Sequence, residues 1–266
     1  MITSLANAKV KLVRGLQSRR RIRYREKRLV TEGTRLVQDA LETGWLPDFV
    51  LYTTNWIDTP AGTALLKRLA DLSVPALLVS DTVMASCTDT ETPQGMLAVS
   101  AFPEIPPPAA PTFVLVIDRL RIPGNLGTIL RAAAAAGVEL VLLPPGNVDP
   151  YNPKVVRGGM GAHFRIPIWH RGWQEISELL GGFEIWLASA GDGTRYDQVD
   201  WSRPIALIVG GEASGAGDFA TSLVDPELKL GRACGHVHIP MPGGIESLNA
   251  AVAAGVLLFE IVRQRS

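Results

Sequence analysis

Three glycine-bearing loops hold the residues of this chain best placed to do chemistry. The first is Pro123-Gly-Asn-Leu-Gly-Thr-Ile-Leu-Arg131, which carries an amide, Asn125, ahead of a cation, Arg131. The second runs from Gly210 to Gly217 and carries Glu212. The third, Pro240-Met-Pro-Gly-Gly-Ile-Glu-Ser-Leu-Asn249, leads into the last helical stretch. Loops of this composition leave backbone N–H and C=O groups unpaired, and ahead of a helix N-terminus such groups can hold a small polar ligand. The common signatures are absent. No GxxxxGK[ST] occurs, the first loop lacks the spacing of a dinucleotide fingerprint, and there is no GxSxG. The four histidines never fall at i,i+4, so no helical metal pair exists, and no metal is expected. His236 and His238 alternate on a strand and read as a solvent-facing pair. Cys87 and Cys234 read as free thiols.

The elements that must position these loops follow from periodicity. Residues 113–117 are a continuous apolar run, as suits a parallel strand buried on both faces. Further strands are expected at 140–143, 184–188, 205–209 and 236–239, with helices over 125–136 and 173–180. The closing helix has Ser247 as a candidate N-cap, and Leu248, Ala251, Val252, Gly255, Val256, Phe259 and Val262 fall at helical spacing. Its Ala/Gly-rich middle calls for close packing against other backbone, at Ala253 and Gly255 in particular. Five strands with helical crossovers describe an open, mostly parallel α/β sheet, which binds ligands at the carboxyl ends of its strands.

Upstream, alternating strands (29–32, 49–52, 76–79, 95–99) and helices (34–43, 63–72) describe a small α/β domain opened by a basic helix over residues 4–28. A proline-rich spacer over residues 103–111 separates the two parts. The domains are therefore expected at 1–105 and 112–266, with a linker at 106–111. Net charge is zero but unevenly placed: residues 1–35 hold eleven basic and two acidic side chains, a net +9 against −9 elsewhere. A polyanion such as RNA is the natural partner for that segment, with Arg19, Arg20, Arg21 and Arg23 as its contacts. No stretch is apolar for long enough to span a membrane, no secretory leader is visible, and a cytoplasmic protein is expected.

The three loops in this order resemble the three motifs of the SpoU (TrmH-like) branch of the SPOUT RNA methyltransferases. PGNLGTILRAAAAAGV resembles the first motif, IVGGEASGAG the second and IPMPGGIESLNAAVAAGVLLFE the third. Residues 151–168 resemble the segment between them, and the N-terminal region is similar, more loosely, to a fused RNA-binding domain. The resemblance implies a C-terminal trefoil-knot domain with the closing helix threaded through a loop, S-adenosylmethionine held in the knot, and a homodimer that completes the site. It implies methyl transfer to a ribose 2′-hydroxyl in RNA, and the resemblance of the fused N-terminal domain favours ribosomal over transfer RNA. Carried over residue by residue, it makes Arg131, Asn125, Glu212, Ser247 and Asn249 the catalytic set. Gly210, Gly211, Ile239, Met241, Leu248, Ala188 and Ser189 become the cofactor contacts, largely through main chain. A guanidinium is a poor base, so Arg131 reads as a phosphate and alkoxide stabiliser. Departures from the family pattern stand at Ile122, Ala213 and Ala250-Ala251, with extra length from Asp225 to Gly235. The competing readings are an RNA-binding protein with a degenerate, non-catalytic knot and a transfer-RNA 2′-O-methyltransferase; the retained Asn125 and Arg131 favour an enzyme over the first.

Overall fold

The structure, a computed structural model, describes residues 1–191, 193–212, 215–225 and 233–266. It divides into two compact units: Met1–Pro103 with Asp149–Phe164, and Glu104–Val148 with Arg165–Ser266.

The first unit opens with α1 (Ala8–Ser18) and α2 (Arg20–Glu26), followed by β1 (Arg28–Glu32) and α3 (Thr34–Glu42). Then come β2 (Phe49–Tyr52), α4 (Thr54–Ile57), α5 (Pro60–Asp71), β3 (Ala76–Leu78), α6 (Asp81–Ser86) and β4 (Met96–Ala101). The strands form a mixed sheet in the order β1-β4-β2-β3, in which only β2 and β3 run parallel. The single basic helix expected over residues 4–28 is two helices. Arg19 is extended (φ −129°, ψ 112°) and breaks the run, while the Asn7 side chain caps α1 by accepting from the Lys9 N–H. Val10, Val13 and Leu16 of α1 are fully buried against Val30, Phe49, Leu51 and Val99.

The second unit begins with β5 (Phe113–Ile117), α7 (Pro123–Ala135) and β6 (Leu140–Leu143). The chain then supplies the first unit with α8 (Pro153–Gly159) and a 3₁₀ turn (Ala162–Phe164). It resumes the second unit with β7 (Ile168–His170), α9 (Trp173–Leu179), β8 (Glu184–Ser189), β9 (Thr194–Arg195) and β10 (Ile205–Val209). Next come α10 (Asp218–Ser222), β11 (Cys234–His238) and α11 (Ala250–Arg265). Seven strands in the order β7-β6-β5-β10-β8-β11-β9 pair in parallel throughout. The central strands β5, β6 and β10 are buried along their whole length, as their unbroken apolar runs require. Two short strands escaped the sequence reading, β7 and β9, because three and two residues carry too little periodicity.

A boundary near residue 111 does not capture the course of Asp149–Phe164, which packs with the first unit. The reason is chemical. Arg23 and Asp149 are both buried and joined through Nε at 2.8 Å and Nη2 at 2.6 Å, and Arg23 Nη1 also donates to the Leu16 carbonyl at 2.7 Å. Asp149 Oδ1 accepts from the Tyr24 hydroxyl and the Tyr151 N–H. Tyr151 stacks on Phe102 at 3.8 Å between ring centroids, beside Tyr24. Arg23 is thus a structural residue, and the expectation that it contacts RNA is corrected: its guanidinium has no exposed face. Burial and the nearby Asp149 charge push the Tyr24 phenol up to about 12. His163 is buried too, with Nε2 bonded to the Pro150 carbonyl at 2.8 Å and Nδ1 without a hydrogen-bond partner.

Two predictions follow from this cluster. Asp149→Ala leaves a buried guanidinium uncompensated and should destabilise the chain by about 3–5 kcal/mol in urea unfolding. An effect below about 1 kcal/mol would show that water reaches Arg23. His163 is held neutral, since burial lowers its pKa from 6.5 to about 4. A depressed folded-state value means the unfolded chain takes up the proton first. The contribution is therefore complete above pH about 6.5 and lost as pH falls toward 4, roughly 3 kcal/mol in all. His163→Gln should flatten the pH dependence of the unfolding free energy across that window, and an unaltered profile would refute the assignment.

Candidate active site

A cleft of about 600 Å³ opens at the carboxyl ends of three neighbouring strands of the second unit: β8, β10 and β11. All seven residues expected to touch the cofactor line it: Ala188 and Ser189 from the end of β8, Gly210 and Gly211 after β10, and Ile239, Met241 and Leu248 after β11. Glu212, Ser247 and Asn249 line it as well. Ile122, Ala190, Val209, Gly215, Glu246, Ala250 and Ala253 complete the wall and were not singled out as contacts. Position at the end of a strand was the available signal for Val209, and position just beyond one for Ala190. Ile122, noted in the sequence only as a departure, is half-exposed and gives the mouth an apolar lip.

The polar residues are linked in a directed chain. Asn249, rather than Ser247, is the N-cap of α11: its Oδ1 accepts from the Ala251 and Val252 N–H groups at 2.9 and 3.3 Å. With the oxygen so engaged, the Asn249 amide nitrogen donates to Asn125 Oδ1 at 3.2 Å. Asn125 in turn donates to Glu212 Oε1 at 2.7 Å. Asn125 is not a cap, since α7 starts at Pro123 with Ile122 before it, and lies one residue after Gly124 in the first turn. Ser247 is exposed and makes no hydrogen bond among the described residues. One amide orientation thus ties all three glycine-bearing loops together.

The second loop is shaped by close approach. A Cβ at Gly211 would run into the Arg119 carbonyl, and one at Gly210 into the Ala216 N–H. Gly217 donates its N–H to the buried Asp118 Oδ2 at 2.7 Å, while Arg119 beside it takes a left-handed φ of 56°. Asp118 was not foreseen; a charged residue ending an apolar strand was the clue. Ala213 and most of the Asp225–Gly235 stretch lie outside the described residues.

Arg131 stands apart. It is exposed on α7, does not line the cleft, and makes no ion pair or hydrogen bond among the described residues. The expectation of tight packing at Gly255 is corrected, because nothing lies within 4 Å of the Cβ position there. The small residues that do pack inward are Ala251 and Ala254, where α11 lies against α7. The far end of α11 is held by Arg265, which donates to the Trp201, Thr112 and Arg203 carbonyls. His236 and His238 are half-buried rather than solvent-facing, because β11 lies between β8 and β9. Among the described residues no cluster of His, Cys, Asp and Glu could hold a metal, and no helix is long and apolar enough to cross a membrane.

Comparison with known proteins places the chain. The SpoU rRNA methylase family matches residues 112–259, and an MRM3-like substrate binding domain matches residues 7–98. A 23S rRNA (guanosine-2′-O)-methyltransferase of Bacillus subtilis is 33% identical, over 98% of each chain. Human mitochondrial rRNA methyltransferase 3 is 32% identical over 91% of this chain and 69% of its own. Two solved structures with bound S-adenosylmethionine superpose over nearly the whole chain. They are an rRNA methyltransferase of Sinorhizobium meliloti (TM-score 0.80, 29% identical, 98% and 97% covered) and AviRb of Streptomyces viridochromogenes (TM-score 0.81, 26% identical, 97% and 99% covered). The chain belongs to the SpoU family of rRNA methylases, with the SPOUT knotted fold in its second unit. It is an enzyme that uses S-adenosylmethionine to methylate a ribose 2′-hydroxyl in RNA. The lining suits that cofactor: apolar side chains at Val209, Ile239 and Leu248, backbone groups at Ala188–Ala190 and Gly210–Gly211, and the carboxylates of Glu212 and Glu246 for a cationic ligand.

The directed chain separates stability from activity. Asn249→Ala removes the cap of α11 and should cost about 1 kcal/mol. Asn249→Asp keeps a cap but faces Asn125 with an acceptor, so its thermal midpoint should stay near wild type while turnover falls. Wild-type turnover by Asn249→Asp would show that the amide chain serves only the fold.

Proposed function

We propose that this chain methylates ribosomal RNA in the cytoplasm, with Glu212, Asn125 and Asn249 positioning the substrate ribose at the cleft and Arg131 acting on it from a second copy. The observation that carries this reading is the pairing of a complete cleft with an absent cation. Every cofactor contact and the Asn249–Asn125–Glu212 chain converge within one chain, yet Arg131 does not. The exposed side chains of α11 supply the reason for a second copy. Val252, Val256 and Phe259 are 53%, 36% and 50% exposed and fall at i, i+4 and i+7, an apolar stripe on a helix that also borders the cleft. A two-fold pairing through this face buries the stripe and presents one copy's α7 to the other's site.

When bound, S-adenosylmethionine supplies an activated methyl group on a sulfonium sulfur. The chain's own residues do the rest. Gly210, Gly211 and Leu248 line the cleft and offer it main-chain groups. Glu212, oriented by Asn125, accepts hydrogen bonds from ribose or base donors. Arg131 binds the adjacent phosphate and stabilises charge growing on the 2′-oxygen, an interaction stronger in the transition state than before it. The exposed apolar side chain of Ile122 at the cleft mouth shields the reacting oxygen from water.

Arg131→Ala should lower turnover by about a hundred- to a thousandfold while leaving cofactor affinity unchanged in calorimetry. Mixing Arg131→Ala with Glu212→Ala chains tests the second copy. If Arg131 acts across a dimer, random pairing restores one intact site in half the dimers, roughly a quarter of wild-type activity. No recovery would place Arg131 in the site of its own chain, and near-normal turnover by Arg131→Ala alone would remove it from catalysis.

A further inference from the structure

The eleven cations of residues 1–35 are not equivalent, and the structure sorts them by what each already does. Arg23 is buried on Asp149, Arg25 pairs with Glu26, and Arg28 pairs with Asp48. Lys9 lies over the Phe49 ring and Arg20 over Tyr24. Lys11, Arg14 and Arg19 are exposed and have no acidic partner among the described residues, and all three line one notch of about 500 Å³ in the first unit.

The notch is built rather than incidental. One wall is the elbow between α1 and α2. It closes tightly because Gly15 has no side chain: a Cβ there would lie 2.8 Å from Ile22 Cδ1. The other wall is the turn after α6, pinned on three sides. Gln17 Nε2 donates to the Cys87 carbonyl at 3.0 Å, and Thr88 donates to the buried Glu32 at 2.7 Å. Asp89, the one carboxylate in the lining, is taken up by Arg157 at 2.5 Å, whose hydrogen bond holds its pKa below the usual range. Its negative charge is therefore answered from behind and does not neutralise the three cations.

We infer that this notch binds one nucleotide of a single-stranded stretch of the substrate RNA, its phosphates held by Lys11, Arg14 and Arg19. The chemistry selects the ligand. Guanidinium forks match phosphate oxygens in pairs, and three unpaired cations around one concavity suit a polyanion. A concave notch of this volume admits a splayed-out nucleotide, whereas a duplex presents a convex backbone, and single-stranded nucleotides are the ones RNA-binding proteins take into pockets. The inference rests on the reading of the chain as an RNA methyltransferase and adds where, and in what conformation, its substrate is gripped.

The test compares K11Q/R14Q/R19Q with a control pair, K27Q/R35Q, two exposed cations of residues 1–35 that do not line the notch. Binding of the full chain to oligouridylate and to a ribosomal RNA fragment is measured across a series of salt concentrations. On a single strand each phosphate contact contributes about 0.7 to the salt slope, so the triple variant should flatten it by up to about 2 while the control pair leaves it nearly unchanged. In methyl transfer, KM for RNA should rise at least about tenfold in the triple variant, with kcat at saturating RNA and S-adenosylmethionine affinity kept within about twofold. Ser18→Glu places a carboxylate in the notch without removing a cation and should weaken RNA binding with an unshifted thermal midpoint. An unchanged slope in the triple variant, or equal flattening in the control pair, would overturn the notch. The two readings fail separately: a wild-type chain that methylates RNA while the triple variant keeps its KM defeats the notch alone. Loss of salt-dependent binding in the triple variant, with no methyl transfer by wild type, defeats the methyltransferase reading alone.

Discussion

The site depends on the polarity of one carboxamide. A helix N-terminus demands an acceptor, because its first N–H groups have no intrahelical partner. Asn249 meets that demand for α11 with its oxygen, and so its nitrogen must point the other way, toward Asn125. Asn125 repeats the logic and delivers its own N–H to Glu212. A requirement of helix stability thereby sets the orientation of a carboxylate in the cleft, without any residue dedicated to holding it. Serine in the same place would cap equally well and transmit nothing, since a hydroxyl rotor has no fixed opposite end.

The first unit shows a second use of burial. A guanidinium and a carboxylate removed from water must satisfy each other and their remaining hydrogen-bonding groups. Arg23 and Asp149 do so with the Leu16 carbonyl, the Tyr24 hydroxyl and the Tyr151 N–H. The partner comes from far along the chain, and it brings α8 and its neighbours into this unit. Arg157 of α8 then answers both Glu32 and Asp89, so the returning segment finishes two polar clusters that residues 1–103 leave incomplete. The charge asymmetry of the N-terminus is consequently less than it looks in sequence: several of its cations serve the fold or lie on aromatic rings, and a few remain to face a polyanion.

The two units divide labour by backbone type. In the second, the central strands β5, β6 and β10 are apolar and buried along their whole length, which leaves the chemistry to the loops at the carboxyl ends of the sheet. Those loops are rich in glycine because they approach one another: Gly211 lies under the Arg119 carbonyl and Gly217 beside its guanidinium. A wall built largely from such main chain tolerates substitution in the motifs. Ile122 and Ala250 differ from the family pattern, yet both lie in a well-formed wall.

The sequence alone determined what rests on local pattern. The apolar runs at 113–117, 140–143 and 205–209 are the central strands, because a strand covered on both faces must be apolar throughout. The three loop motifs in order named the family, and every expected cofactor contact lines the cleft, because those contacts sit where strands end. Only the tertiary structure decided which of several suitable side chains takes each role. Ser247 and Asn249 are both good caps, and the helix begins after the second. Arg19 and Arg23 read alike in a basic run, yet a distant aspartate buries one and an extended residue turns the other to a notch. Gly255 looked like a site of close approach and is open, while Ala254 one residue before it is fully buried. In each case the deciding partner lies far away in sequence, and long-range pairing energy leaves no trace in local composition.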